Sequence, residues 1–312
     1  MIRNFEASDI EAIIEIWNGV FTTHPVDTTF FVKNVLFDVN FSKDGFFVYE
    51  DERGIVGFAE LVIRRVAVSA GGSLDTDKAY LRMFAVREGC DLSSIGSELI
   101  LRAEEYARGF GERSIIVFDY TPDYIASGVS ESRKDYIEFF KSLGFSEGKR
   151  RRSIRIDLDA FEKSPEIEQL IAEREAEGFV FSHLENEYIP SLLEYAPPGW
   201  THRYRRLALA NMDYEKFSLI IYGGKVVGCA VFGDPYSCEE RFGPYSVSEE
   251  FRGKGLGKIL LYLTLMDMKS RGLHYAYASS TPISGAAYGV YDKFGFVTTD
   301  TFISLVKENA KN

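Results

Sequence analysis

Cysteine is scarce in this chain of 312 residues: there are three, Cys90, Cys229 and Cys238. They show no C-x-x-C spacing and cannot all pair with one another, which argues against a disulfide framework or a zinc site and fits a reducing compartment. Long apolar runs are missing too. None reaches the roughly 18 residues that a membrane span needs, and the N-terminus, Met1 to Phe5 before an amphipathic helix, lacks the apolar core of a signal peptide. Basic charge is in deficit, with 36 Lys and Arg against 47 Asp and Glu and a formal net charge of -11. An acidic protein repels phosphate backbones, which argues against a nucleic-acid partner. The one dense basic run, Lys149 to Arg152, is short, lies between apolar segments and reads as a solvated strand end. A cytoplasmic protein with neither a membrane nor a nucleic-acid partner is the expectation.

Core-forming residues are plentiful, with 46% hydrophobic and 14% aromatic. That length and composition suit two domains of about 150 residues each. The first half opens with a strand near Ile2 to Phe5. Ser8 and Glu11 have the spacing of a capping box, and Ile10, Ile13, Ile14 and Trp17 recur at helical spacing behind them. A second helix is expected from Thr29 to about Val39. Gly45 to Tyr49 and Ile55 to Ile63 read as a hairpin, followed by a strand from Ala79 to Val86, a helix from Ile95 to Phe110, a strand from Ser114 to Phe118 and a helix from Arg133 to Leu143 that stops at Gly144.

The segment Ala160 to Gly178 is highly charged and starts a helix at Ser164-Pro165; it reads as a helical linker. The first order then repeats: a strand at Phe179 to Ser182, helices at Glu187 to Tyr195 and Thr201 to Asn211, a hairpin over Phe217 to Phe232 turning at Gly223-Gly224, a strand at Phe242 to Val247, a helix ending at Arg271, a strand at His274 to Ser279, and a short helix before Gly295-Phe296. A duplicated β-α-α-β-β-β-α-β-α-β unit is the simplest account. The expected domains are 1–159 and 179–312, joined by 160–178. The fold class is α/β with mixed sheets flanked by helices.

The strand-to-helix turn Val247-Ser248-Glu249-Glu250-Phe251-Arg252-Gly253-Lys254-Gly255-Leu256-Gly257-Lys258 carries the chemistry. Its glycines remove side chains where a ligand must approach the backbone. The following helix aims free N–H groups into the turn, and Arg252, Lys254 and Lys258 add full charges. The spacing is neither the dinucleotide GxGxxG fingerprint nor a Walker loop.

Arg252-x-x-Gly-x-Gly between a strand and a long helix resembles the CoA-binding motif of the GNAT acetyltransferase superfamily. Downstream, in Ser284 to Phe296, Ala287, Tyr291, Gly295 and Phe296 match that superfamily's second motif. The resemblance implies two tandem GNAT domains and a V-shaped cleft between the parallel strands Phe242–Val247 and His274–Ser279. Acetyl-CoA would be the co-substrate, with no metal. Backbone near Tyr245 and Val247 would bond the pantetheine arm, the turn from Arg252 to Lys258 would hold the pyrophosphate with Ser284 close by, and Tyr291 would be the general acid. The acceptor would be a small-molecule primary amine, lined by Trp200, His202, Asp234, Tyr236 and Glu240. The oligomeric state would be monomer or homodimer.

Aligning Val86 with Val247 sets Asp91 at the place of Arg252, Leu92 at Gly253, Ser94 at Gly255 and Phe140 at Tyr291. The first copy has lost its CoA turn and its acid, and is read as degenerate. Three rival readings share this sequence: an acyl-CoA-binding regulator without turnover, an aminoacyl-tRNA-dependent tandem transferase, and a mycothiol-synthase-like enzyme. Tyr291 favours an enzyme over the regulator, and the intact turn and acidic charge argue against the tRNA-dependent transferase; the mycothiol-synthase-like enzyme shares the architecture, and fold alone does not separate it.

Overall fold

The computed structural model describes residues 1–66, 74–120, 125–196, 204, 213–234 and 237–308. The chain forms two compact units, and the boundary between them falls inside two strands. The first unit runs to Arg152 and also takes the chain from Asp300 onward; the second runs from Ser153 to Thr299.

The first half contains β1 (Ile2–Asn4), α1 (Ile10–Val20), α2 (Thr28–Phe31), β2 (Phe46–Asp51), β3 (Gly54–Val62), β4 (Lys78–Val86), α3 (Leu92–Arg108), β5 (Ser114–Val117), β6 (Val129–Ser130), α4 (Lys134–Ser142) and β7 (Ser146–Asp157). The second half adds α5 (Pro165–Ala176), β8 (Phe179–His183), α6 (Ile189–Tyr195), β9 (Phe217–Tyr222), β10 (Lys225–Phe232), β11 (Phe242–Val247), α7 (Leu256–Ser270), β12 (Tyr275–Thr281), α8 (Ala286–Lys293) and β13 (Val297–Lys307). The expected repeat of elements is present, with β6 as an addition. Of the expected helix Thr201–Asn211 only Tyr204 is among the described residues, and the rest lies outside them. Among those residues no helix is long and apolar enough to cross a membrane.

In the first unit the strands β1, β2, β3, β4 and β5 lie side by side in that order. The Asp300–Lys307 part of β13 then follows beside β5, antiparallel, with Leu305 opposite Val117. Ile303 and Leu305 are buried in the core of this unit with Trp17, Phe58, Phe84 and Phe140. The last strand of the sequence therefore completes the first unit's sheet.

Two local departures from the sequence expectation have identifiable causes. The capping box forms on Glu6 and Asp9, two residues before Ser8 and Glu11. Asp9 accepts from the Glu6 amide at 2.7 Å and also pairs with Arg3 at 2.7 Å, a double use of one carboxylate that Glu11 could not match. The expected helix from Thr29 to Val39 is a single α-turn followed by a π-turn over Val32–Leu36. Here the buried guanidinium of Arg82 takes the carbonyls of Asn34 and Val35 at 3.0 and 3.1 Å. A continuing α-helix would need those carbonyls for its own ladder.

Arg82 also holds Glu60 at 2.8 Å through Nε and Asp38 at 3.2 Å. Both Glu60 and Arg82 are 1% exposed. Removing one side of such a pair strands a buried charge. Arg82→Met is expected to destabilise the protein by about 3–5 kcal/mol, read as a lower midpoint in urea denaturation.

The second unit carries the antiparallel sheet β8-β9-β10-β11. Its hairpin turns on Gly223 and Gly224, both at positive φ, which the tight I′ turn demands. Helix α6 and Tyr204 cover one face, packing with Leu219, Cys229 and Val231. Helix α7 covers the other, through Leu256, Ile259 and Leu260 with Phe179 and Ile220. Helix α5 belongs to this unit, since Ile167, Leu170 and Ile171 pack against the α7-side cluster. Strand β12 lies beside the Ser153–Asp157 part of β7.

Candidate active site

The site is built on a sheet edge that has no paired neighbour among the described residues. Strands β11 and β12 meet at one parallel bridge, Arg241 opposite Tyr277, where the Tyr277 amide donates to the Glu240 carbonyl at 2.8 Å. Beyond it β11 runs on to Val247 beside β10 alone among the described residues. A register shift over Phe242 to Tyr245 bends β11 away at this point, as a bulge does. The expected splay between these strands is therefore present.

Antiparallel pairing fixes which backbone groups face the gap. Ser248 donates to Val227 of β10 at 2.8 Å, and Val247 stands opposite Gly228, with Tyr245 opposite Ala230. Bonded and non-bonded pairs alternate, so the N–H and C=O of Tyr245 and Val247 point away from β10, into the gap. Their side chains pack on the α7 face. The Tyr245 hydroxyl donates to the Gly257 carbonyl at 2.6 Å and ties the strand to the start of α7. Burial pushes this phenol up, so it stays protonated.

The turn beyond β11 leads to the open end of α7. Gly253 and Gly255 have φ of 84° and 78°, a region that other residues enter only with strain. Gly255 is the N-cap and offers no side chain to the helix amides. A Cβ at Gly257 would stand 2.9 Å from the Tyr245 hydroxyl. Arg252 is exposed and pairs with Glu249 at 2.9 Å. Lys254 reaches Glu177 at 3.2 Å and lies over the Phe179 ring. Leu256 is buried and Lys258 half-buried.

Tyr291 of α8 is 5% exposed. Its ring lies 5.8 Å from that of Tyr245, beside Phe242 and Phe296, so it faces the same strand that presents the free edge. Ser284 is exposed, next to the α8 N-cap Gly285. Of the acceptor candidates, Trp200, His202 and Tyr236 lie outside the described residues. Asp234 is buried and pairs with Arg241 at 3.3 Å. Glu240 is half-buried and contributes its carbonyl to the bridge. Among the described residues no group of His, Cys, Asp or Glu could hold a metal ion.

The same edge exists in the first unit and is filled from within. Strand β4 pairs with β5 from Lys78 to Leu81 and, among the described residues, continues to Val86 beside β3 alone. Arg87 donates to Val56 at 2.8 Å and Val86 stands opposite Gly57, so Val86 faces outward as Val247 does. Here the Tyr136 hydroxyl accepts from the Val86 amide at 2.9 Å and donates to its carbonyl at 3.1 Å. Tyr136 is 1% exposed, and burial raises its pKa.

Tyr136 occupies the position of Ala287. Both residues precede by four the matched pair Phe140 and Tyr291, and the two helices end alike: Phe145 donates to Phe140, and Phe296 to Tyr291, each at 3.1 Å. The glycine turn is gone as well. Asp91 caps α3 by accepting from Ser94 at 3.1 Å, and the helix starts at Leu92, the counterpart of Gly253. The would-be phosphate loop is wound into the first helical turn. Sequence reading caught Asp91 and Phe140 and missed Tyr136, although a tyrosine at the family's alanine position was visible.

The acetyltransferase (GNAT) family matches this chain twice, over residues 10–145 and 181–296. The chain belongs to that family and carries its fold in tandem. Among solved structures, a GCN5-related glucosamine N-acetyltransferase region of a fungal multi-domain β-N-acetylglucosaminidase aligns with a TM-score of 0.81 at 17% identity, over 98% of this chain and 38% of that one. A GCN5-related N-acetyltransferase from Sphaerobacter thermophilus aligns at 0.71 with 15% identity, over 99% and 95%. A tandem GNAT protein from the clavulanic acid biosynthesis pathway aligns at 0.67 with 15% identity, over 100% and 99%. At these identities the likeness is one of fold. No curated protein matches the sequence.

Tyr136→Phe leaves the Val86 amide and carbonyl buried without their partner. A loss of about 1–3 kcal/mol is expected, measured as a fall in unfolding free energy by urea titration.

Proposed function

We propose that the second unit is an acetyl-CoA-dependent N-acyltransferase acting on a primary amine, and that the first unit is a closed copy that binds no acyl-CoA. The observation that carries this reading is the outward-facing backbone of Tyr245 and Val247, running into the uncapped start of α7. Main chain at a free edge recognises an extended amide-bearing chain, and pantetheine is one. The amides from Gly253 to Gly257 suit a pyrophosphate, with Arg252 and Lys258 at its rim.

Acetyl-CoA supplies the thioester. The neutral amine attacks its carbonyl carbon, an N–C bond forms and the C–S bond breaks. The leaving sulfur takes a proton from the Tyr291 hydroxyl, and the phenolate regains one from the amine's released proton through solvent. An ordinary tyrosine, with pKa near 10, keeps that proton at neutral pH.

Calorimetry with acetyl-CoA tests the reading. One site per chain is expected, weakened at least tenfold in Arg252→Glu; two sites would overturn the closed first copy, and no binding would overturn the enzyme. Tyr291→Phe is expected to lower kcat roughly 10²-fold at unchanged acetyl-CoA affinity, scored by thiol release on an amine panel. That panel includes glucosamine, the acceptor named for the fungal region, with polyamines and amino acids.

A further inference from the structure

Beside the free edge stands a hydroxyl pair with no part in the chemistry above. Tyr195, the last residue of α6, brings its hydroxyl to 2.6 Å from Ser246 Oγ. Side chains alternate along a strand. Tyr245 and Val247 pack on the α7 face, so Ser246 between them faces the other way. Its neighbour across β10 is Cys229, which packs with Leu192 of α6. Tyr291 lies with Leu261, Leu265 and Met268 of α7.

A thioester along the β11 edge therefore has α7, α8 and its proton donor on one side. The amine must approach from the other side, where Ser246 and Tyr195 stand. We propose that Ser246 accepts a hydrogen bond from the incoming amine, and that Tyr195 is the positioning residue that orients the Ser246 hydroxyl. This rests on the acyl-transfer reading and assigns its acceptor side.

The hydroxyl chemistry is consistent. Burial pushes the Tyr195 phenol up to about 12, so at neutral pH it keeps its proton and is able to donate to Ser246, as the proposed arrangement requires; either hydroxyl of the pair can be the donor. A serine oxygen has two lone pairs; one takes the Tyr195 proton and the second is left for an amine N–H. The amine's own lone pair then remains for the carbonyl carbon. The pair takes no proton in this role. The other ionisable groups felt by Tyr195 are Cys229 and Arg252.

The test compares wild type, Tyr195→Phe, Ser246→Ala and Ser246→Thr, using the amine turned over fastest in the panel above. Tyr195→Phe and Ser246→Ala are expected to lower kcat/KM for the amine about five- to tenfold, mostly through KM. Acetyl-CoA affinity by calorimetry stays within twofold, and Ser246→Thr, which keeps the hydroxyl, stays near wild type. The shape of the pH profile is unchanged between pH 6 and 10.

Unchanged amine kinetics in both variants would overturn the inference. An equal loss of acetyl-CoA affinity would also overturn it, by making the pair a prop of the strand. So would the disappearance of a pH limb in Tyr195→Phe, which would make Tyr195 a base. Failure of wild type to bind acetyl-CoA, or to acylate any amine, defeats the parent reading and this inference with it.

Discussion

The bridge between Arg241 and Tyr277 decides what the second unit can do. Two parallel strands joined along their length would spend their backbone groups on each other. Joined once and then bent apart, they leave the outward groups of Tyr245 and Val247 unclaimed. An unclaimed edge is ordinarily a liability that proteins cover or blunt. Here it runs into a turn whose glycines hold left-handed backbone and whose helix has no side-chain cap. The Tyr245 hydroxyl fixes that helix to the strand through Gly257. The whole arrangement is main-chain geometry, and few side chains are committed to it.

The first unit shows the same kind of edge closed by its own residues. Its strands part in the same way, and Val86 points outward like Val247. One substitution at the alanine position supplies a phenol that donates and accepts at once, so both backbone groups are satisfied internally. A second change, at the turn, lets Asp91 cap the helix and winds the loop into it. Together they make this edge part of the core, where Tyr136, Phe139 and Phe140 of α4 pack against Phe84 of β4. Closing the edge gains stability because buried polar groups are paired.

Much of this could be read in the residues. Hydrophobic spacing located most helices and strands, and the duplication followed from their order. The Gly-rich turn and the Tyr291 motif were local patterns, visible without a fold. What stayed hidden depended on partners distant in sequence. The π-turn at Val32–Leu36 accompanies the contacts of Arg82 with the Asn34 and Val35 carbonyls. The pairing of Lys254 with Glu177 joins the turn to the end of α5 and cannot be read from the turn's own residues. The Tyr195–Ser246 contact joins residues from two separate elements, and neither residue belongs to a motif. Strand β13 reads as the end of the second domain because nothing in its own pattern reveals which sheet it joins.

That last strand has a consequence for how the protein is made. Synthesis is vectorial, and domains that are contiguous in sequence can fold as they emerge. The first unit is not contiguous. Its β5 waits for a neighbour that lies beyond the entire second unit, from Asp300 to Lys307. Until the ribosome has passed that stretch, the first-made half carries an unfilled sheet edge and a core short of Ile303 and Leu305. The half translated first is therefore completed last, and for most of translation it is the more exposed to misassociation.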